Sequence, residues 1–233
     1  MKINLLPQIK TISSQLKTGI NRIMPNKKEI QQDCFKYSYN FLKYEKSSNL
    51  AEVHSFVNLN FPNTHLNITS TSDGNRILRT MCRLHNMTRG QINFPPRIET
   101  YKSKDKKFSG DYGDGIIRIN SSCNIHESTL AHEIAHYNHE LLCPNYAKMG
   151  KLSEMKAEEI TDFSIYNKFR RDLASLNLIK RTLGGYAASS PCEFVAATFE
   201  ALANGKILPI KIWELYKKYE GPFADMLKPF FTK

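Results

Sequence analysis

The chain has 233 residues, 41% hydrophobic and 24% charged, enough apolar material for a filled core and unlike a disordered or low-complexity polypeptide. Lys and Arg outnumber Asp and Glu by 33 to 22, giving a net charge of +11 that favours acidic partners; the cations are dispersed, with no dense basic run carrying interleaved aromatics, which argues against nucleic-acid binding. No stretch is long and apolar enough to cross a membrane, and the five cysteines (Cys34, Cys82, Cys123, Cys143, Cys192) lack metal-type spacing, so reduced thiols made in a cytosol are expected.

Residues 1–26 read as a flexible leader. The first 28 residues hold Lys2, Lys10, Lys17, Arg22, Lys27 and Lys28 but no Asp or Glu, and Pro7, Gln8 and Lys10 break any apolar run, so no cleavable secretion signal is expected. Two readings stand for this leader, an uncleaved export signal and a disordered tail. Ile30, Cys34, Tyr37, Phe41 and Tyr44 predict a helix over 27–46. Another is expected over 48–60, then a strand over 65–70 and a basic-faced helix over 75–87. Pro95-Pro96 marks a junction between a mainly helical part, 27–95, and the part 96–233, the two packing as one unit.

Strands are predicted at 97–101 and 116–120. The run Gly110-Asp111-Tyr112-Gly113-Asp114-Gly115 reads as a flexible loop or hairpin turn, and 102–107 as a solvated hairpin tip. Helices follow over 125–142, 153–177, 190–204 and 208–219. Strands first and helices after give an α+β class. In the helix over 125–142, Asn124 and Glu127 have capping-box spacing, Leu130, Ile134, Tyr137 and Leu141 are expected to face the core, and Cys143-Pro144 ends the run.

That helix carries His132-Glu133-Ile134-Ala135-His136. Two histidines four apart share one helix face, so both imidazoles can reach one Zn²⁺, and Glu133 is placed to act as general base on a water. Catalytic zinc takes a third protein ligand. His139 shares the face but sits a turn too far along and is expected to face solvent or to support the ligands from behind. Glu158 and Glu159, near the start of the 153–177 helix, are candidates, with a solvated acidic first turn as the plain alternative. Glu193 is preferred. Ser190, Pro191 and Glu193 also fit a capping box, so position alone leaves two readings for Glu193; the apolar side formed by Phe194, Ala196 or Ala197, and Leu202 lets its helix approach the metal helix closely.

His132, Glu133, His136, Tyr186, Pro191, Glu193, Phe194, Ala196 and Phe199 together resemble the motif of the anthrax lethal factor-like metallopeptidases, a group that includes the clostridial Pro-Pro endopeptidases. The resemblance covers about residues 110–205. It implies a zincin-like α+β fold with a small mixed sheet, an edge strand beside the metal helix and a helical C-terminal part. It further implies zinc ligands His132, His136 and Glu193, Glu133 as base, and Tyr186 as hydroxyl donor to the developing oxyanion. The strand at 116–120 would then border the cleft and offer its free edge to an extended peptide. Many relatives carry an acidic residue four after the ligand Glu; Ala197 stands there, and two readings follow, that Glu200 takes over that role or that none is needed.

The leading expectation is a monomeric zinc endopeptidase acting on a protein substrate, including an acidic one, in the setting of an exported bacterial effector or toxin in a host cell. A second reading is a regulatory metallopeptidase with Glu158 or Glu159 as third ligand. A third is a non-catalytic binding protein for an acidic partner.

Overall fold

The computed structural model describes residues 41–105, 109–123, 126–143 and 164–232. The leader, most of the helix expected over 27–46, Asn124, the tip at 106–107 and both Glu158 and Glu159 lie outside these residues. Residues 41–46 themselves are not helical. The main chain of Leu42 is instead clamped by Asn86, whose amide accepts from Leu42 N at 3.0 Å and donates to Leu42 O at 3.0 Å.

Helix α1 (Leu50–Asn60) is capped by Asn49, which accepts from Glu52 N, and it leads into strand β1 (His65–Asn67). Helix α2 (Thr71–Met87) buries Ile77, Leu78, Met81 and Leu84 on one stripe. Its basic face has a structural task. Arg79 and Arg83 reach the two carboxylate oxygens of Glu127 at 2.9 and 3.0 Å, and Arg83 also donates to Ala203 O at 3.0 Å. Glu127, expected as part of a capping box, thus ties the start of the helix bearing His132 and His136 to α2.

Strands β2 (Arg97–Tyr101), β3 (Gly110–Gly113) and β4 (Ile116–Asn120) join β1 in a mixed sheet of order β1-β2-β4-β3. β1, β2 and β4 are parallel, and β3 returns antiparallel to β4. Residues 110–113 are therefore strand, and only Asp114-Gly115 turns. Both have positive φ, 51° and 72°, as a two-residue type I′ hairpin requires. This corrects the expectation for 116–120: β4 is internal, and of the two edge strands, β1 and β3, it is β3 that lies beside β4. Alternation sorts the two faces. Ile98, Ile117 and Ile119 point inward and are fully buried. Outward, Arg97, Glu99, Arg118 and Asp111 form a row of ion pairs at 2.8, 3.1 and 3.1 Å. Each such surface pair contributes about 0–1 kcal/mol and keeps this face solvated.

Helix α3 (His126–Leu142) carries the two-histidine motif. Leu130 and Ile134 are fully buried as expected, but Leu141 is exposed. The single helix expected over 153–177 is, within the described residues, two helices, α4 (Ser164–Arg171) and α5 (Leu173–Leu183). Asp172 separates them by capping α5: its carboxylate accepts from Ser175 N at 3.1 Å and from Ser175 Oγ at 2.7 Å. Helix α6 (Pro191–Ala203) packs against α3, with Ala131, Ala135, Val195, Ala196 and Phe199 buried. Helix α7 (Ile210–Lys218) and the short α8 (Ala224–Leu227) follow, with a two-strand pairing of β5 (Leu208–Pro209) and β6 (Phe231–Thr232). One core runs through residues on both sides of Pro95-Pro96, from Val53, Ile77 and Leu84 to Ile98, Leu130, Phe199 and Tyr216. No helix among the described residues is long and apolar enough to cross a membrane.

Candidate metal centre

α3 presents His132 and His136 one helical turn apart, both largely buried, while α6 presents Glu193 from its first turn. The cap at this end of α6 forms as the sequence suggests: Ser190 Oγ accepts from Glu193 N at 3.1 Å. The other half of a capping box does not form, because the carboxylate turns to the histidines. Glu193 Oε2 lies 3.0 Å from His132 Nε2, Glu193 Oε1 lies 3.6 Å from His136 Nε2, and the two Nε2 atoms are 3.1 Å apart. One ligand atom from each of the three residues falls within 4.8 Å of the others.

These separations fit a metal ion. With bonds of ~2.0–2.1 Å in a tetrahedral site, neighbouring donor atoms stand ~3.3 Å apart. Two imidazole nitrogens and a carboxylate oxygen form a donor set that suits zinc and leaves a position for a further ligand. Two ring nitrogens facing each other at this distance repel unless a proton or a cation lies between them.

The surroundings bias each group. Burial disfavours charge on His132, but hydrogen bonds to Glu193 and Glu200 outweigh it and push the imidazole up to about 10. Burial likewise opposes charge on Glu193, and the two histidines overcome it, holding the carboxyl well below its usual range. On its other side the His132 ring meets Glu200, whose Oε2 is 3.2 Å from Nδ1. Glu200 thus stands where the sequence allowed it to replace the acidic residue missing at Ala197. Seven residues is nearly two helical turns, so Glu193 and Glu200 share one face of α6. His136 Nδ1 is buried and has no hydrogen-bond partner among the described residues.

Glu133 is buried, and that burial, reinforced by the Glu193 and Asp111 carboxylates against the opposing pull of the histidines, raises its carboxyl above the usual range. Tyr186 sits in a 3-10 turn (Tyr186–Ala188) reached through Gly184, whose φ of 102° suits glycine, and anchored by buried Ala187. Its ring centroid lies 6.1 Å from that of His132. The side chain as a whole is 68% exposed, yet desolvation on its inner side and the nearby Glu193 and Glu133 carboxylates push its phenol up to about 12, so it stays protonated at neutral pH. All five expected site residues, His132, Glu133, His136, Tyr186 and Glu193, therefore gather at one place.

His139 does not face solvent. It is fully buried, and its Nε2 donates to Tyr219 O at 3.0 Å, joining the end of α3 to the end of α7. Beside it the Cys143 thiol donates to Glu220 O at 2.7 Å. A further pair escaped sequence reading. Tyr112, on the edge strand, donates its hydroxyl to Glu140 Oε2 at 2.5 Å and meets Tyr137 edge to face, so β3 is fastened along the metal helix. Glu140 continues the His132–His136 face by one more turn, which was the available signal.

Compared with protein-family models, with curated proteins and with solved structures, the chain matches none of them.

Proposed function

We propose that this chain is a zinc-dependent endopeptidase of zincin-like fold, hydrolysing a peptide bond of a protein substrate. The convergence of His132, His136 and Glu193 carries the reading. Supporting it are Glu133 beside these ligands, a protonated Tyr186 hydroxyl at the same place, and the edge strand β3 alongside α3.

His132, His136 and Glu193 would hold the ion, with Glu200 fixing the tautomer and orientation of the His132 ring. Bound there, Zn²⁺ supplies Lewis acidity, polarising a carbonyl and lowering the pKa of water toward ~7. Glu133, with its raised proton affinity, takes the proton of the attacking water as the water oxygen bonds to the carbonyl carbon. It returns that proton to the departing amine when the carbon–nitrogen bond breaks. The Tyr186 hydroxyl donates to the oxygen on which negative charge develops, an interaction typically worth ~3–4 kcal/mol. Among the described residues no strand pairs with the outer side of β3, which leaves that edge to an extended peptide.

The test is a survey of new protein N-termini in a proteome digest with the zinc-loaded chain and with its Glu133→Ala variant. New termini only with the unaltered chain are expected. Equal, background-level cleavage by both would return the chain to the reading as a binding protein. Zinc content of a Glu193→Ala variant separates the two ligand sets: retained zinc and activity would favour Glu158 or Glu159 as third ligand.

A further inference from the structure

Away from the metal centre, α5 and α7 enclose a groove of about 540 Å³, within the ~300–1,000 Å³ typical of ligand sites. Its floor is apolar: Leu178 and Leu215 are half-buried and pack against the core. Its banks are charged, with Arg181 from α5, Lys211 and Lys218 from α7, and a single acid, Glu214. Two of the cations, Arg181 and Lys211, are in no ion pair among the described residues, and the Arg181 side chain donates to the carbonyl of Asn177, at 3.3 Å. Lys218 stands 3.6 Å from Asp172, whose carboxylate is already engaged in capping α5, and also lies 5.3 Å from the centre of the Tyr219 ring. With Lys218 shared with Asp172, the exposed Arg181 and Lys211 on either bank of the apolar floor complement an acidic segment that also carries apolar side chains.

We infer that the groove between α5 and α7 is a docking surface for an acidic, amphipathic peptide segment of a partner protein. The apolar side chains of the segment would cover Leu178 and Leu215, and its carboxylates would meet Arg181, Lys211 and Lys218 along the banks. The chain's overall charge of +11 favours the encounter, and the groove gives it a place and an orientation. The groove lies apart from the metal centre, and docking in it is read by binding alone.

The experiment is fluorescence polarisation of the full chain against a labelled synthetic peptide of Glu-Glu-Leu repeats. Companion peptides are Glu-Glu-Ser repeats, which lack the apolar groups, and Lys-Lys-Leu repeats, which reverse the charge. The groove variant is Arg181→Glu/Lys211→Glu. A control, Arg76→Glu/Lys104→Glu, makes the same change in net charge at exposed positions outside the groove. Lys211→Glu alone serves as a second, milder groove variant, and circular dichroism checks folding. Expected are binding of the Glu-Glu-Leu peptide, weaker binding of Glu-Glu-Ser, none of Lys-Lys-Leu, and about tenfold weaker binding by the groove variant with the control within about twofold of the unaltered chain. Absence of binding, an equal loss in the control, or equal affinity for Glu-Glu-Ser would overturn the inference. So would phosphatidylserine vesicles or duplex DNA that bind more tightly than the peptide and lose affinity by the same factor in the groove variant.

Discussion

Glu200 Oε2 lies 3.2 Å from His132 Nδ1, so the ring is held between two carboxylates of the same helix, with Glu193 3.0 Å from its Nε2. A carboxylate behind a ligand imidazole fixes its tautomer and makes its metal-facing nitrogen more basic. Glu200→Ala is expected to weaken zinc binding about 10–100-fold in a chelator competition, with little change in fold. Glu200→Gln, which keeps an acceptor, should recover part of that loss; equal affinity for all three proteins would remove Glu200 from the site.

In the proposed mechanism Tyr186 donates to the oxyanion without holding the metal. Its phenol, pushed up to about 12, keeps its proton through the neutral and mildly alkaline range. Tyr186→Phe should therefore bind zinc as the unaltered chain does yet lose about 10²–10³ in kcat, with KM changed far less. Retention of kcat by the phenylalanine variant, measured on any substrate found by the N-terminal survey, would exclude the oxyanion role.

His139 gives the fold a defined weakness to acid. Burial lowers its imidazole from 6.5 to about 4, only partly offset by the bond to Tyr219 O. The unfolded chain takes up a proton near pH 6.5 that the folded chain accepts only near pH 4, so stability falls as pH drops through that window and is unaffected above it. Between pH 7 and pH 5 the effect is about 2 kcal/mol. Urea unfolding of His139→Gln at both pH values should show a pH dependence smaller by about that amount; identical slopes for the two proteins would contradict it.

Gly110 sets how closely β3 approaches α3. A Cβ there would stand 2.5 Å from Thr129 Cγ2 and 2.9 Å from Arg118 O, whereas one at Gly113 would meet nothing within 4 Å. Gly110→Ala is expected to destabilise the fold by about 1–3 kcal/mol and to lower peptidase activity, and Gly113→Ala to stay within about 0.5 kcal/mol. Matching thermal midpoints for the two variants would show that β3 yields without penalty.

Much of this arrangement could be read where chemistry is local. The β-branched alternation at 97–101 and 116–120 marked β2 and β4, and the Ser190-Pro191 start and Asn204-Gly205 end framed α6. The i, i+4 spacing of His132 and His136 marked the cluster that Glu193 joins, and Glu200 entered only through the family resemblance. What was not legible depends on distant partners. β3 has a weak strand composition, Gly-Asp-Tyr-Gly, and becomes an edge strand through pairing with β4 and the Tyr112–Glu140 contact. His139 reads from the sequence as solvent-facing or as supporting the ligands, because its acceptor, Tyr219, lies eighty residues away. The break at Asp172 had a local signal, the Asp172–Ser175 spacing of a cap, hidden within a run of otherwise helical residues.

The most direct test of the metal centre is zinc K-edge absorption spectroscopy on the full chain, with zinc content measured in parallel. One zinc per chain, with a shell of two imidazoles and a carboxylate oxygen at ~2.0–2.1 Å that is lost in both His132→Ala and Glu193→Ala, is the predicted result. A shell containing cysteine sulfur or one imidazole, or zinc retained unchanged after both substitutions, would contradict it.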